Sequence, residues 1–237
     1  MPLRASPVLP PLPSLHCSAM SNAPPESPEE QRAWFATTFN VSRETLAKLD
    51  TYAELLTEWQ TKFNLVGPAT LPHVWVRHFA DSAQLLQLTE REGAAHRPTW
   101  LDIGSGAGFA GMVIALLTGD SVTLVDSIRK KTVFLETVRD ALGLERNVKV
   151  LNQRVESLGS VKFDTITARA CAPLAKLFDW GEPYAAKSCT WLLLKGAAVE
   201  DELAEARRRF VFEHELIPSL TDSRGRIVRA HSVRRRR

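Results

Sequence analysis

The sequence holds 237 residues, with 30 Lys and Arg against 27 Asp and Glu, a net charge of +3, and 44% hydrophobic residues. That suits one sizeable globular domain with a small appendage. It excludes a helical membrane span, because no apolar run approaches 18 residues and the densest, 112–117, reads as helix core. It also excludes a disulfide framework or thiolate metal site, because Cys17, Cys171 and Cys189 are odd in number and form no Cys-x-x-Cys pair; a reducing cytoplasm is the expected setting.

Residues 1–28 carry eight of the fourteen prolines and no apolar period, so a disordered Pro-rich extension is expected there. Met20 offers an alternative start. A helical segment packed on the main domain is expected over 29–90. Ser42 suits an N-cap, and Leu46, Leu49, Ala53, Leu56, Trp59 and Phe63 follow at three- and four-residue steps. Gly67-Pro68 breaks the pattern, and a second helix is predicted over 72–88.

From Trp100 short β-rich runs alternate with helical stretches. Strands are predicted at 100–103, 122–125, 148–151, 163–168 and 190–194, and helices at 109–117, 128–142, 173–180 and 199–209. Such alternation predicts an α/β fold: a doubly wound, mostly parallel sheet over residues 98–233. The runs 210–217 and 226–233 predict a C-terminal antiparallel hairpin. Residues 234–237 are four arginines, read as a basic tail: either a polyanion contact or a solvated end.

The strongest local signal is Leu101-Asp102-Ile103-Gly104-Ser105-Gly106-Ala107-Gly108-Phe109, between a strand and a helix. Glycines there let backbone approach a ligand at the carboxyl end of the sheet. A dinucleotide loop wants a third glycine at 109, where Phe109 stands; Gly-x-Gly-x-Gly after Asp102 is the pattern of class I methyltransferases. Asp126 ends the next strand 22 residues after Gly104, the spacing of an acid that binds a ribose diol, and would also suit an N-cap for the following helix. Glu156 could accept from an adenine amino group and Val155 pack on the ring, beyond the third strand.

These segments are joined by Phe63-Asn64-Leu65-Val66, by Val76-Arg77-His78-Phe79-Ala80-Asp81-Ser82, by Arg129-Lys130-Lys131, by Arg169-Ala170-Cys171-Ala172-Pro173-Leu174 and by Leu194-Lys195-Gly196. Together they resemble the small-subunit ribosomal RNA methyltransferases called RsmG, or glucose-inhibited division protein B, over roughly residues 45–200. The resemblance implies a class I methyltransferase fold, S-adenosyl-L-methionine as cofactor, and transfer to N7 of a guanine in the decoding-region loop. By position it implies cofactor contacts at Gly104, Phe109, Val155, Glu156 and Arg169, with Asp126 on the ribose; Asp102, Ser105 and Gly106 complete the cradle. Ala110 stands where the family often has proline, and the match weakens after Phe210.

Guanine N7 carries a free lone pair, so alignment would suffice and no acid–base dyad or metal is expected. Arg169 and Lys195 are candidates for positioning. Arg77, His78, Arg129, Lys130 and Lys131 are candidates for RNA contact, though His78 could instead bond Asp81. Cys171 reads as packing rather than as a nucleophile. The partner is small-subunit rRNA, naked or in a 30S-type particle, met by a monomer. The rival readings are a methyltransferase for protein or small molecules, and a non-catalytic ribosome-assembly factor.

Overall fold

The computed structural model describes residues 23–89, 97–169 and 171–237. The expectations for Cys17, for a start at Met20 and for most of the proline-rich extension lie outside the described residues. Helix α1 (Pro28–Thr38) begins at the last residue assigned to that extension; Pro28 fits a first turn and Glu29 and Glu30 complement its dipole. Helix α2 (Arg43–Gln60) starts where expected: the Ser42 hydroxyl accepts the Thr45 N–H at 3.1 Å. Its buried face runs Leu46, Leu49, Tyr52 and Leu56. Fully buried leucines such as Leu49 and Leu56 each contribute about 2 kcal/mol of apolar burial. The stripe expected from spacing holds Ala53 in place of Tyr52.

The single helix predicted over 72–88 is replaced by four short pieces. A 3₁₀ helix spans Pro68–His73, a π-helix Trp75–Ala80, one α turn α3 (Asp81–Ala83), and a 3₁₀ helix Gln84–Leu88. Pro72 has no N–H to donate inside the first piece. The wide π turn then buries Trp75, Val76, His78, Phe79 and Ala80 together, more than one side of an α-helix would.

The sheet has seven strands in the order β3-β2-β1-β4-β5-β7-β6. Strands β1 (Thr99–Ile103), β2 (Ser121–Asp126), β3 (Val148–Asn152), β4 (Phe163–Arg169) and β5 (Ala185–Lys195) pair in parallel. Strand β7 (Arg226–Arg235) runs antiparallel between β5 and β6 (Phe210–Pro218). The expected fold class holds. The strands β1, β2, β4 and β5 are buried in near-continuous runs because helices cover both faces. One core packs α1, α2, the 68–88 segment, α4 (Gly111–Thr118) and α5 (Arg129–Ala141) on one face. The other packs α6 (Leu174–Gly181) and α7 (Val199–Arg209) on the opposite face.

Three boundaries differ from the sequence reading by two residues or more. Helix α4 opens at Gly111 rather than 109, because residues 104–110 stay in a turn. Strand β5 starts at Ala185, five residues early. Strand β7 extends through Arg235, so Arg234 and Arg235 are sheet residues, not part of a free basic tail. Among the described residues no helix is long and apolar enough to cross a membrane.

Candidate active site

The carboxyl ends of β1, β4 and β5 open into a cavity of about 900 Å³. Its lining includes Gly104, Ser105, Gly106, Phe109, Lys131, Arg169, Cys171 and Lys195, with His78 and Asp81 from the N-terminal segment and Asp222, Arg224 and Arg226 from the β6–β7 turn. One side is a cradle of backbone and the other a wall of long side chains.

The cradle follows from β1 meeting β2. The Gly104 and Ser105 amides both donate to the Val125 carbonyl, at 2.9 and 3.1 Å. Gly104, Gly106 and Gly108 all have positive φ, the left-handed region that suits glycine. At Gly104 a Cβ would also sit 2.8 Å from the Cys171 Cβ. Asp126 ties the glycine turn to the approach of α5: its Oδ1 accepts the Ile128 N–H at 2.8 Å and its Oδ2 accepts the Gly106 N–H at 3.0 Å, while the N-cap position of α5 is Ile128 and has no side-chain cap. Each oxygen retains a lone pair for a ligand hydroxyl.

Asp102 lies fully inside. Its Oδ2 accepts the Gly111 N–H at 3.2 Å, but its Oδ1 is buried with no partner. Burial pushes its carboxyl up to about 7, opposed by the Gly111 N–H and by Arg169. A buried acceptor without a donor is costly unless a ligand supplies one. An ammonium-bearing ligand with a ribose therefore fits the cradle. Gly104, Ser105 and Gly106 line the cavity, while Asp102 and Asp126 lie buried outside its lining, against the glycine turn.

Val155 and Glu156 stand apart. They form a 3₁₀ turn (Val155–Ser157) beyond β3, whose Asn152 lies opposite Asp126 in the sheet. They share the carboxyl edge with Asp126 but do not line the cavity; Val155 is buried in the second core and Glu156 is exposed.

The wall is organised by Phe109. Tyr52 stacks with its ring at 5.2 Å and 12°, and His78 at 4.5 Å and 14°. The Arg169 guanidinium lies 5.1 Å from its centroid, within cation–π range. The Tyr52 hydroxyl donates to the Ala107 carbonyl at 2.5 Å, tying α2 to the glycine turn. Arg169 donates to His78 Nδ1 at 2.8 Å and to the Arg77 carbonyl at 3.1 Å, and its Nη1 lies 3.6 Å from Asp81 Oδ2. Arginine has only donors, so Nδ1 of His78 accepts and Nε2 carries the proton, facing Thr70 Oγ1 at 2.9 Å. Burial, aided by Arg169, pushes His78 down to about 3. Its ring is therefore neutral, 4% exposed and part of the floor. The expectation of an RNA-contacting His78 is corrected, and so is its bond to Asp81.

Asp81 in turn accepts from Thr221 Oγ1 at 2.7 Å and Gln84 Nε2 at 2.9 Å, and Arg77 donates to Asp222 Oδ2 at 3.0 Å. The N-terminal segment, the end of β4 and the β6–β7 turn are thus pinned together. Sequence reasoning did not assign Tyr52, Asp81 or that turn to the site. Only Asp81 had a local signal, as part of the Arg-His-Phe-Ala-Asp run.

The other basic candidates divide. Arg77 is half-exposed at the rim and Lys131 lies 3.9 Å from Asp126. Arg129 and Lys130 are exposed at the start of α5, outside the cavity lining. Lys195, a positioning candidate, is in the cavity lining but is already engaged. Its Nζ meets Glu202 Oε2 and the Ala172 carbonyl, each at 2.6 Å, with its side chain 4% exposed. Cys171 is exposed on the cavity rather than packed in a core; its thiol donates to the Ile103 carbonyl at 3.2 Å and is pushed up to about 11 by desolvation, which disfavours nucleophilic chemistry.

Among solved structures, a SAM dependent methyltransferase from Aquifex aeolicus superposes with a TM-score of 0.52 at 18% identity, covering 69% of this chain and 93% of that one. Two curated relatives are named ribosomal RNA small subunit methyltransferase G. That of Paramagnetospirillum magneticum is 43% identical, over 83% of this chain and 93% of its own length. That of Methylorubrum extorquens is 45% identical, over 83% and 92%. The family described as GidB, rRNA small subunit methyltransferase G, matches residues 45–228. The chain belongs to that family of small-subunit rRNA methyltransferases.

Proposed function

We propose that this protein transfers the methyl group of S-adenosylmethionine to N7 of a guanine in small-subunit ribosomal RNA, acting in the cytoplasm as a monomer. The observation that carries the reading is the cradle: the partnerless buried Oδ1 of Asp102 and the Asp126 carboxylate flank a glycine turn on the cavity. When bound, the cofactor supplies an already activated methyl on a sulfonium.

The chain's own residues then have one task, to align and to exclude water. Asp102 accepts from the ammonium group and Asp126 from the ribose hydroxyls. Phe109, with His78 and Arg169 packed on it, forms an apolar, neutral floor with one fixed cation at its edge. Guanine N7 needs no base, and the wall offers it none: His78 accepts from Arg169, and Asp81 is held by Thr221, Gln84 and Arg169. Arg77, Lys131, Arg224 and Arg226 at the rim suit the phosphates of an RNA loop.

The test is transfer of labelled methyl to small-subunit RNA lacking the modification, followed by borohydride and aniline cleavage. A single cut at one guanine is the expected result. Labelling without cleavage would move the acceptor atom away from N7. Cofactor binding without transfer to naked RNA or subunits would overturn the substrate.

A further inference from the structure

The last turn of α7 carries Arg207, Arg208 and Arg209, and all three are exposed. Alone they are explained by the helix dipole, which favours cations at its carboxyl end. The sheet, however, brings four more arginines to them. Strand β7 returns so that Arg235 lies opposite Phe210 and Arg234 opposite Val211. The Arg236 amide donates to the Arg209 carbonyl at 2.8 Å, and its Nε donates to the Arg207 carbonyl at 2.7 Å. Residues 234–237 are all exposed.

This patch is built rather than frayed. Asp179, at the end of α6, holds both Arg209 and Arg235, whose guanidinium groups lie 5.8 and 5.5 Å from the Phe210 ring centroid. Glu205 pairs with Arg208 at 3.1 Å. Seven arginines thus gather around two partnered carboxylates, a repulsive arrangement for the free protein that a polyanion would relieve. Arg226 lines the methyl-transfer cavity and Arg235 sits in the patch; nine residue steps along the strand separate them by about 30 Å. The family match stops at residue 228, before the four C-terminal arginines.

We propose that this arginine patch is a second RNA-docking surface, taking the phosphate backbone of small-subunit rRNA remote from the methylated loop. The proposal rests on the functional reading above and extends it. A contact about 30 Å from the cavity can be reached by a long RNA or an assembled particle but not by a short stem-loop. The surface therefore gives preference for the large substrate.

The test replaces Arg207, Arg208, Arg234, Arg236 and Arg237 with alanine in the full chain, sparing Arg209 and Arg235, which anchor on Asp179. A matching five-lysine variant keeps the charge. Affinity is measured against salt for small-subunit RNA, for particles and for a short stem-loop, with methylation read separately. In the alanine variant the log–log salt slope for long RNA should become shallower by about 3.5 to 4.5, at about 0.7–0.9 for each of five phosphates left unneutralised. The KM for long RNA or particles should rise about tenfold or more, while kcat, cofactor affinity and the stem-loop KM stay as in the parent and lysine restores the slope. An unchanged slope and KM would overturn the proposal. So would an equal loss on the stem-loop, or parent-only binding to anionic vesicles with RNA binding unaltered. Binding is read without turnover, so a parent that binds RNA yet methylates nothing would sink the functional reading and leave this one to its own slope.

Discussion

The two sides of the cavity are made by different means. The cradle from Gly104 to Phe109, with Asp126, comes from one β–turn–α unit and its neighbouring strand, and backbone amides and one carboxylate hold it. The opposite wall is stitched by side chains from three segments: Arg169 to His78 spans 91 residues and Arg77 to Asp222 spans 145. The cradle is ready for a ligand and has an acceptor to spare at Asp102. The wall has nearly all its polar groups engaged. Changes in the cradle should therefore move affinity, and changes in the wall should move stability.

The largest effect expected is from the wall. Arg169→Ala leaves Asp81 and the acceptor nitrogen of His78 buried without their cation, and should cost about 3 kcal/mol or more of unfolding free energy in urea melts. An unchanged midpoint would show that the wall is not the stabilising element. Next, Asp126→Ala should weaken cofactor binding by about 1.5–3 kcal/mol by calorimetry, the range for hydrogen bonds to a charged acceptor. Loss of folding with intact affinity would reverse the comparison.

A pH titration sharpens the cradle further. Burial raises Asp102 to about 7, so the free protein holds a proton there at lower pH. An ammonium-bearing ligand needs the carboxylate, and binding must then release that proton. Affinity should fall about tenfold per pH unit below about 7 and level off above it. In Asp102→Asn that slope should vanish. A wild-type affinity that stays flat from mildly acidic to mildly basic pH would place the ammonium elsewhere. Smallest of all, Asp222→Ala removes a half-exposed ion pair with Arg77 and should change stability by less than about 1 kcal/mol. A larger loss would mean that the β6–β7 turn, not Arg169, locks the wall.

What the sequence disclosed follows the same division. The sheet, the glycine turn and Asp126 were legible because each is a short-range pattern: a strand period, a glycine spacing, an acid at the end of the next strand. Tyr52 was missed because helical spacing alone favoured Ala53, and only tertiary packing shows that residue 52 reaches the Ala107 carbonyl. His78 reads as a cation for RNA and Lys195 as a free positioning cation, since sequence gives their type but not their burial. The π turn that buries His78 and the Glu202 that captures Lys195 are set by distant packing. Asp81 sat inside a motif already noticed, yet its partners Thr221 and Arg169 lie 140 and 88 residues away.

The placement of β7 also bears on how the molecule is made. Strand β6 precedes β7 in the chain, but β7 lies between β6 and β5. As the polypeptide emerges, residues 210–218 therefore have no seat in the growing sheet until residues 226–235 arrive to bridge them. For that interval β6 is a bare edge, the kind of segment that pairs with other chains. Its alternation sets the exposed Glu213 and Glu215 between half-buried Phe212, His214 and Leu216. Those charges act as guards against self-association during synthesis and go on guarding β6 afterwards, since it remains the edge strand of the finished sheet.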